Sequence, residues 1–477
     1  MREMGPGLRV LAGAAATVLL CAAVPCADAG AASTYPIDLP TVLRLVDAQN
    51  LDVQIARQAL EQAKAERVSA LERFLPSVTA GSTYQRRDGL AQAVPAGTIS
   101  ETHLYSYAAG GTVTAEVVLG DAIYDALAAR QLVRASDRAL AAQREDAVLA
   151  AAQGYFELAK AKALVDVAGS AVETSRDYER QLHEAVAIGI AFKGDELRVQ
   201  TQTREYELVL RRAVEEQTVA STHLAQVLHL DPTVELVPQD AGLVPIRIFA
   251  PDATVDALVA HALASRPELA RSQALVAAAE AAKNGAVYGP LIPSIGARVF
   301  AGALGGGHVD EPSSFGGSEE YAVGLTWRVG PGGLLDLGRI GASQARLAAA
   351  QLDDTKAKDV VATQVVAGLA GIRSLSDQIA VTERTVVSAG ETLRLTRARR
   401  QFGVGLVLED LQAQQALVRA RSDWVTTIAD FDKAQYALER AVGGPLPTGP
   451  SSVPPPAASQ PAGNGSQRAQ VTSPASR

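Results

Sequence analysis

Cysteine is almost absent from this chain, which contains only Cys21 and Cys26. Cys21 lies within, and Cys26 just behind, a small apolar run at residues 10–24, and small residues that offer a cleavage site follow. This order is typical of a secretory signal peptide, which we place at residues 1–31. Its removal would leave an exported chain without disulfide or thiol chemistry. Lipid attachment to Cys26 is the less favoured alternative, because a proline directly before the cysteine fits a lipoprotein signal poorly.

Aromatic residues and long apolar runs are also scarce, and the chain has no excess of positive charge. Aromatics make up 4% of the chain while alanine is abundant, which suits long, closely packed helices better than a broad globular core. Beyond the signal segment no apolar run approaches the roughly 18 residues that a membrane-spanning helix needs, so any membrane insertion must use strands. The net charge of −8 gives no electrostatic footprint for nucleic acid.

The sequence contains no recognisable catalytic, cofactor-binding or metal-binding motif. The six histidines are scattered, and His183-Glu184 lacks the second histidine of a zinc-protease motif. The glycine clusters at 302–307 and 330–333 lack the Lys-Ser/Thr that follows a phosphate-binding loop. We therefore expect neither an enzyme nor a resident cofactor.

The stretch Phe402–Gln414 predicts a helix that ends, turns and restarts. Gly403 and Gly405 follow a basic, helix-favouring run, and acidic residues then open a second helical pattern. A weaker copy of this turn lies about 214 residues earlier, at Gly189. This correspondence predicts a tandem duplication of the chain.

Each predicted repeat consists of a helix, a β-hairpin, a long helix, a glycine turn and a returning helix. The long helices are predicted at 121–188 and 337–401, and the strands at 77–86, 112–119, 294–301 and 320–329, with loops at 87–109 and 302–317. The predicted domain boundaries are 32–232 for the first repeat, 233–252 for a connector, 253–442 for the second repeat and 443–477 for a disordered tail rich in Pro, Ser, Gly and Ala.

The predicted strands alternate apolar and polar residues, as expected of strands with one face towards lipid. The candidate lipid-facing residues are Val113, Val117, Tyr321, Val323, Leu325 and Trp327. A closed membrane barrel needs at least about eight strands, because open edges leave backbone groups unpaired in lipid. Four strands cannot close alone, whereas three chains would supply twelve.

This order of elements resembles the TolC family of outer-membrane efflux proteins over residues 40–442. The most specific resemblance is Gly403-Val404-Gly405-Leu406 followed by Leu411-Gln412-Ala413-Gln414, which is similar to the family's tip turn. The resemblance implies a mainly α fold with a small β-barrel part, as a homotrimer with a twelve-strand barrel in outer-membrane lipid and a twelve-helix coiled-coil tunnel across the periplasm. It also implies docking of a periplasmic adaptor at the helical tips and cooperation with an inner-membrane transporter.

Acidic and basic residues beside the two predicted turns are candidates for a pore gate. The acids are Glu409, Asp410, Asp195 and Glu196, and the bases are Arg397, Arg399 and Arg400. By the resemblance, Glu409 falls nearest to an acidic ring at the narrow end of the tunnel, and the arginines could bridge to these acids. The alternative is that both sets only complement the helix dipoles.

Apolar residues at the predicted tip are candidates for adaptor docking. The tip candidates are Gly189, Gly403, Val404, Gly405 and Leu406. Packing within the turn is the alternative for Val404 and Leu406.

The sequence therefore predicts an outer-membrane channel of a tripartite efflux or type I secretion system that conducts its substrates passively. The rival interpretation is a periplasmic coiled-coil scaffold or adaptor-like protein, which would share the long helices but would not need strands with lipid-compatible faces.

Overall fold

The computed structural model describes residues 34–92, 97–239, 242–249, 253–308, 314–401 and 406–444. The predicted signal peptide, the tail beyond residue 444 and the tip residues Phe402, Gly403, Val404 and Gly405 lie outside the described residues.

The same order of elements occurs twice, although the exact repeat boundaries stay a prediction. The first half contains β1 (Thr34–Ile37), α1 (Leu39–Gln49), α2 (Leu51–Glu72), β2 (Ser77–Gln92), β3 (Ile99–Val118), α3 (Leu119–Ala187) and α4 (Lys193–Leu228). The second half contains β4 (Glu235–Pro238), α5 (Val255–Ser265), α6 (Pro267–Tyr288), β5 (Ser294–His308), β6 (Ser314–Thr326), α7 (Leu337–Gln401) and α8 (Val407–Val442). A single 3₁₀ turn, Gly289–Leu291, joins α6 to the sheet.

The two long helices agree with the sequence prediction. Helix α3 has 69 residues and α7 has 65, so each is about 100 Å long. The shorter helical segments differ from the prediction, because each is broken once, at Asn50 and at Arg266. At the first break the Asn50 side chain accepts a hydrogen bond from Val53 N (3.1 Å) and donates one to Val227 O (3.2 Å), which caps α2 and ties it to α4.

Four antiparallel strands form one sheet in the order β2-β3-β5-β6. The predicted loops at 87–109 and 302–317 are wrong over most of their length, because β2, β3, β5 and β6 extend through them. Glycines in and beside these ranges permit close approach between strands. Gly110 pairs with Gly302, and a Cβ on Gly110 would lie 2.6 Å from the carbonyl oxygen of Ala301 and would also meet the ring of Phe300. Glycine is normally a turn signal, but here the absence of a Cβ allows two strand backbones and an aromatic ring to pack closely together.

In each repeat, the long helix and the returning helix pack through an equivalent contact between a leucine and a glycine. The Leu224 side chain of α4 lies over Gly154 of α3, and the Leu438 side chain of α8 lies over Gly368 of α7. Both leucines are fully buried. The spacing between the two pairs is 214 residues, as the duplication predicts.

The main apolar core lies midway along the helices, where α1, α3 and α4 pack with the small parallel sheet of β1 and β4. A second cluster joins α5, α7 and α8. A separate small cluster of Tyr178, Leu182, Val199 and Leu411 packs the two helical tips together. No helix among the described residues is both long and apolar enough to cross a membrane.

Candidate functional site

At the second tip, Asp410 is enclosed by the end of α7. Its side chain is in the first turn of α8 and only 1% exposed. Arg400 Nη1 donates to Asp410 Oδ2 at 2.8 Å, and Arg397 Nε lies 3.9 Å from Oδ1. Burial raises the pKa of the Asp410 carboxyl, against the opposing effect of Arg400 and Arg397. The structure thus brings together the acid and two of the arginines that the sequence singled out.

The same contact joins the two helix pairs. The guanidinium of Arg400 stacks on the ring of Tyr178 of α3, with 4.0 Å between the guanidinium carbon and the ring centroid. Tyr178 is buried in the tip cluster. Arg400 therefore links α7 and α8 to α3, and Tyr178 is a site residue that the sequence analysis missed because it resembles an ordinary seam residue.

Glu409 forms a weaker ion pair than Asp410 does. Arg399 Nη1 lies 3.6 Å from Glu409 Oε2, and both side chains are exposed. An exposed pair at this distance contributes little to stability. The charge of Glu409 is therefore open to solvent and ions.

The first tip repeats this arrangement with different bases. The turn passes through Gly189 at φ 79° and leads to Glu196, whose side chain is 1% exposed. His183 Nδ1 lies 2.9 Å from Glu196 Oε1, and Lys193 Nζ lies 2.6 Å from Oε2. Asp195 is bound by Arg198 at 3.0 Å. His183 belongs to no sequence motif, but the repeat shift aligns it with Arg397.

Large apolar side chains are exposed at the tips. Leu406 is 64% exposed, and Ile188, Ile190 and Phe192 at the first turn are still more exposed. The other second-tip candidates, Gly403, Val404 and Gly405, lie outside the described residues. Exposed apolar residues at the far end of a rod are typical of a contact with another protein.

One face of the sheet is largely apolar, with Glu319 as a charged residue among its apolar side chains. Tyr321, Val323, Leu325 and Trp327 are all exposed on this face, and Val113 is partly so. Val117 is 8% exposed, so the prediction that it faces lipid is wrong: at the foot of the sheet, next to α3, the chain itself covers this side chain.

An aromatic group at the opposite end of this face was missed by the sequence analysis. Tyr107 stacks on Tyr105 and on Phe315, with ring centroids 6.3 and 5.6 Å apart. The apolar face thus ends in aromatic rings at both ends, since Trp327 lies at its foot. All three residues fall within the predicted loops. The alternation of apolar and polar residues would have identified them only if the predicted strands had been as long as β3 and β6.

Among the described residues, no group of three or more His, Cys, Asp or Glu side chains is placed to hold a metal ion. The tips therefore carry paired and exposed charges beside exposed apolar side chains, and the sheet presents a largely apolar surface.

Residues 258–444 match the family model described as outer membrane efflux protein. This part of the chain is therefore similar to the outer membrane efflux protein family. The match covers most of the second set of repeated elements, and the first set has the same order. No curated protein matches the chain.

Solved structures show the same fold. A membrane protein from Pseudomonas aeruginosa is 20% identical, with a TM-score of 0.73, over 85% of this chain and 93% of that one. The CmeC outer membrane channel of Campylobacter jejuni is 16% identical, with a TM-score of 0.73, over 85% of each chain. The open-state MtrE outer membrane channel of Neisseria gonorrhoeae is 18% identical, with a TM-score of 0.68, over 86% of this chain and 89% of that one.

The family match of residues 258–444 and the fold shared with outer membrane channels agree with the sequence prediction of an outer-membrane efflux channel. The rival interpretation as a periplasmic scaffold fails, because it gives no role to a sheet with an uncovered apolar face.

Proposed function

We propose that three copies of this efflux protein form one channel that conducts substrates passively from the periplasm across the outer membrane. A periplasmic adaptor would dock at the helical tips, and an inner-membrane transporter would supply the energy. The observation that carries this proposal is the four-stranded sheet with an uncovered apolar face and two open edges.

The open edges support an assembly of several copies. Strands β2 and β6 border the sheet of the single chain. An unpaired edge in lipid costs several kcal/mol for each free backbone group, so the edges must pair with other copies. Three copies supply twelve strands, an even number that suits an antiparallel barrel, and α3, α4, α7 and α8 of each copy supply twelve helices for a tunnel.

Extraction and mass distinguish the trimer from the scaffold. We expect the protein to remain with the outer membrane after osmotic shock, to require detergent for release, and to have three times the chain mass by light scattering corrected for detergent. Release as a soluble monomer or dimer would contradict the proposal.

The tip acids provide the proposed gate. Three copies of the exposed Glu409 would form a ring around the narrow end, while Arg400 would hold each buried Asp410 within its own chain. Like charges about 10 Å apart in water repel by only ~0.4 kcal/mol, so such a ring is tolerable and concentrates cations.

Joint replacement Glu409→Ala and Asp410→Ala is expected to raise the resting conductance several-fold and to weaken cation selectivity. The reason is that it removes both the ring charge and the partner of Arg400. Single-channel recording in planar bilayers measures both quantities. Asp377→Ala, an exposed acid on α7, is the matched control. Unchanged single-channel behaviour of a correctly assembled double variant would eliminate the gate.

A further inference from the structure

The buried acids at the two tips are equivalent by the repeat but have different bases. His183 and Glu196 correspond to Arg397 and Asp410 at the same shift of 214 residues. In both pairs the base comes from the last turns of the long helix and the acid from the first turn of the returning helix. The second tip uses arginine, which keeps its charge at all physiological pH values, whereas the first uses histidine.

Glu196 depends on a thin layer of polar side chains for its burial. Besides His183 and Lys193, Gln200 Nε2 donates to Glu196 Oε1 at 3.3 Å. The His183 side chain is 68% exposed and the Lys193 side chain 59% exposed, so the acid is covered by its own partners and not by a deep core. The hydrogen bond from His183, and then that from Lys193, lower the pKa of the Glu196 carboxyl below its ordinary range.

The other charges around His183 belong to α3 and α4. The groove that His183 lines also contains Glu179, Arg180 and Glu184 of α3, and Arg204 and Glu207 of α4. Glu207 is bound by Arg176 and Arg204, and Arg180 by Asp177, so these groups are already paired. Glu179 and Glu184 add negative charge to the groove, which favours a protonated His183. Arg400 of α7 and Asp410 of α8 lie beside Tyr178. Tyr178 precedes His183 on α3 by more than one helical turn, so these two charges do not face the histidine directly.

We propose that the His183–Glu196 pair makes closure of the first tip dependent on protons, while the arginines keep closure of the second tip independent of them. This inference rests on the proposed role of the tips as a gate. A protonated imidazole gives Glu196 a charge-assisted hydrogen bond across the α3–α4 turn. A neutral imidazole leaves the carboxylate with Lys193 as its sole cationic partner among the contacts described above. The first tip therefore loosens as pH rises through the range in which histidine side chains titrate, about pH 5 to 8.

Single-channel recording of the trimer between pH 5.5 and 8 tests the inference. Because the histidine is exposed, we expect the open probability of the unaltered protein to rise about two- to fivefold over this range. His183→Arg should keep it low throughout, and His183→Gln should keep it high. His223→Gln, an exposed histidine elsewhere on α4, is the matched control and should respond to pH as the unaltered protein does.

The outcomes separate this inference from the proposed gate. An open probability that does not change with pH, in a protein whose Glu409→Ala and Asp410→Ala variant opens, overturns the inference and leaves the gate standing. The same pH response in His183→Arg as in the unaltered protein also overturns it. If neither pH nor the loss of the two acids changes conductance, both the gate and the inference fail.

Discussion

Asp432→Asn is expected to stabilise the folded protein by about 2–4 kcal/mol at pH 7. Asp432 lies on α8 and is fully buried. Its Oδ1 accepts a hydrogen bond from Ile246 N at 2.7 Å, which holds the connector between the two repeats, whereas its Oδ2 has no hydrogen-bond partner among the described residues. Burial raises the pKa of this carboxyl to about 8, against the smaller effect of the Ile246 hydrogen bond.

The direction of the change in stability with pH follows from the number of protons that Asp432 binds in the folded and in the unfolded chain. Between pH ~4 and ~8 the folded chain keeps the Asp432 proton that the unfolded chain has released, so stability falls by about 1.4 kcal/mol for each pH unit over this window. Below pH ~4 both states are protonated, and the cost vanishes. Asparagine can still accept the Ile246 hydrogen bond but never ionises, so the advantage of the variant should grow from pH 5 to pH 8.

Thermal unfolding of the detergent-solubilised protein at pH 5, 7 and 8.5, at one scan rate, measures this effect. Asp423→Asn, an exposed aspartate on the same helix, is the control and should leave Tm unchanged. A variant that melts below the unaltered protein at pH 8.5 would show that the Asp432 carboxylate is stabilised by groups not identified above.

Glu268→Ala is expected to destabilise the protein by about 2–3 kcal/mol, because it leaves buried arginines short of a partner. Arg440 is 3% exposed and contacts Glu268, Asp146 and Glu145. Arg266, also buried, places Nη2 3.0 Å from Glu268 Oε1. Glu268 therefore joins α6 to α8 through Arg440, and it also binds Arg266 at the break between α5 and α6. We expect less than the full cost of a broken buried pair, because Glu268 is partly exposed and Arg440 retains two acids.

Unfolding at pH 7 measures the loss, with Glu280→Ala as the control, since Glu280 is an exposed acid of the same helix. Burial acts to raise the pKa of Glu268, but the hydrogen bonds from Arg440 and Arg266 lower it overall. Its contribution is therefore present above pH ~4.5 and is lost as pH falls through the lowered pKa. Equal stability of the Glu268→Ala and Glu280→Ala variants at neutral pH would contradict the role assigned to this carboxylate.

The helices could be predicted from the sequence because their signals are local. Long proline-free runs, helix-period seams and glycine turns depend on neighbouring residues alone, and α7 begins and ends at the predicted residues. The full length of the strands could not be predicted, because Gly110 and Gly302 act through contacts with each other across two strands. A glycine directly after a helix predicts a left-handed C-cap, and Gly443 has this conformation after α8. His229 caps α4 in the same left-handed conformation at φ 59°, which the sequence does not indicate because histidine rarely adopts it.

The site was predictable in part. The repeat shift identified both pairs of acids, and proximity to the turn identified the arginines. Which acid is buried depends on the packing of α3 against α8, so the sequence could not distinguish Asp410 from Glu409. The burial of Asp432 could have been predicted, because this residue falls at the helical spacing of the apolar residues Val425, Ile428 and Tyr436 on α8.

The open edges of the sheet also constrain how the protein is made. Until the proposed assembly of three copies forms, β2 and β6 present 16 and 13 residues of backbone that can pair with any other extended chain. Correct closure requires collisions between copies, yet higher concentration also increases wrong pairing. Yield therefore depends on the rate of export relative to the rate of assembly, and a periplasmic chaperone that shields strand edges would be most important for this protein when expression is highest.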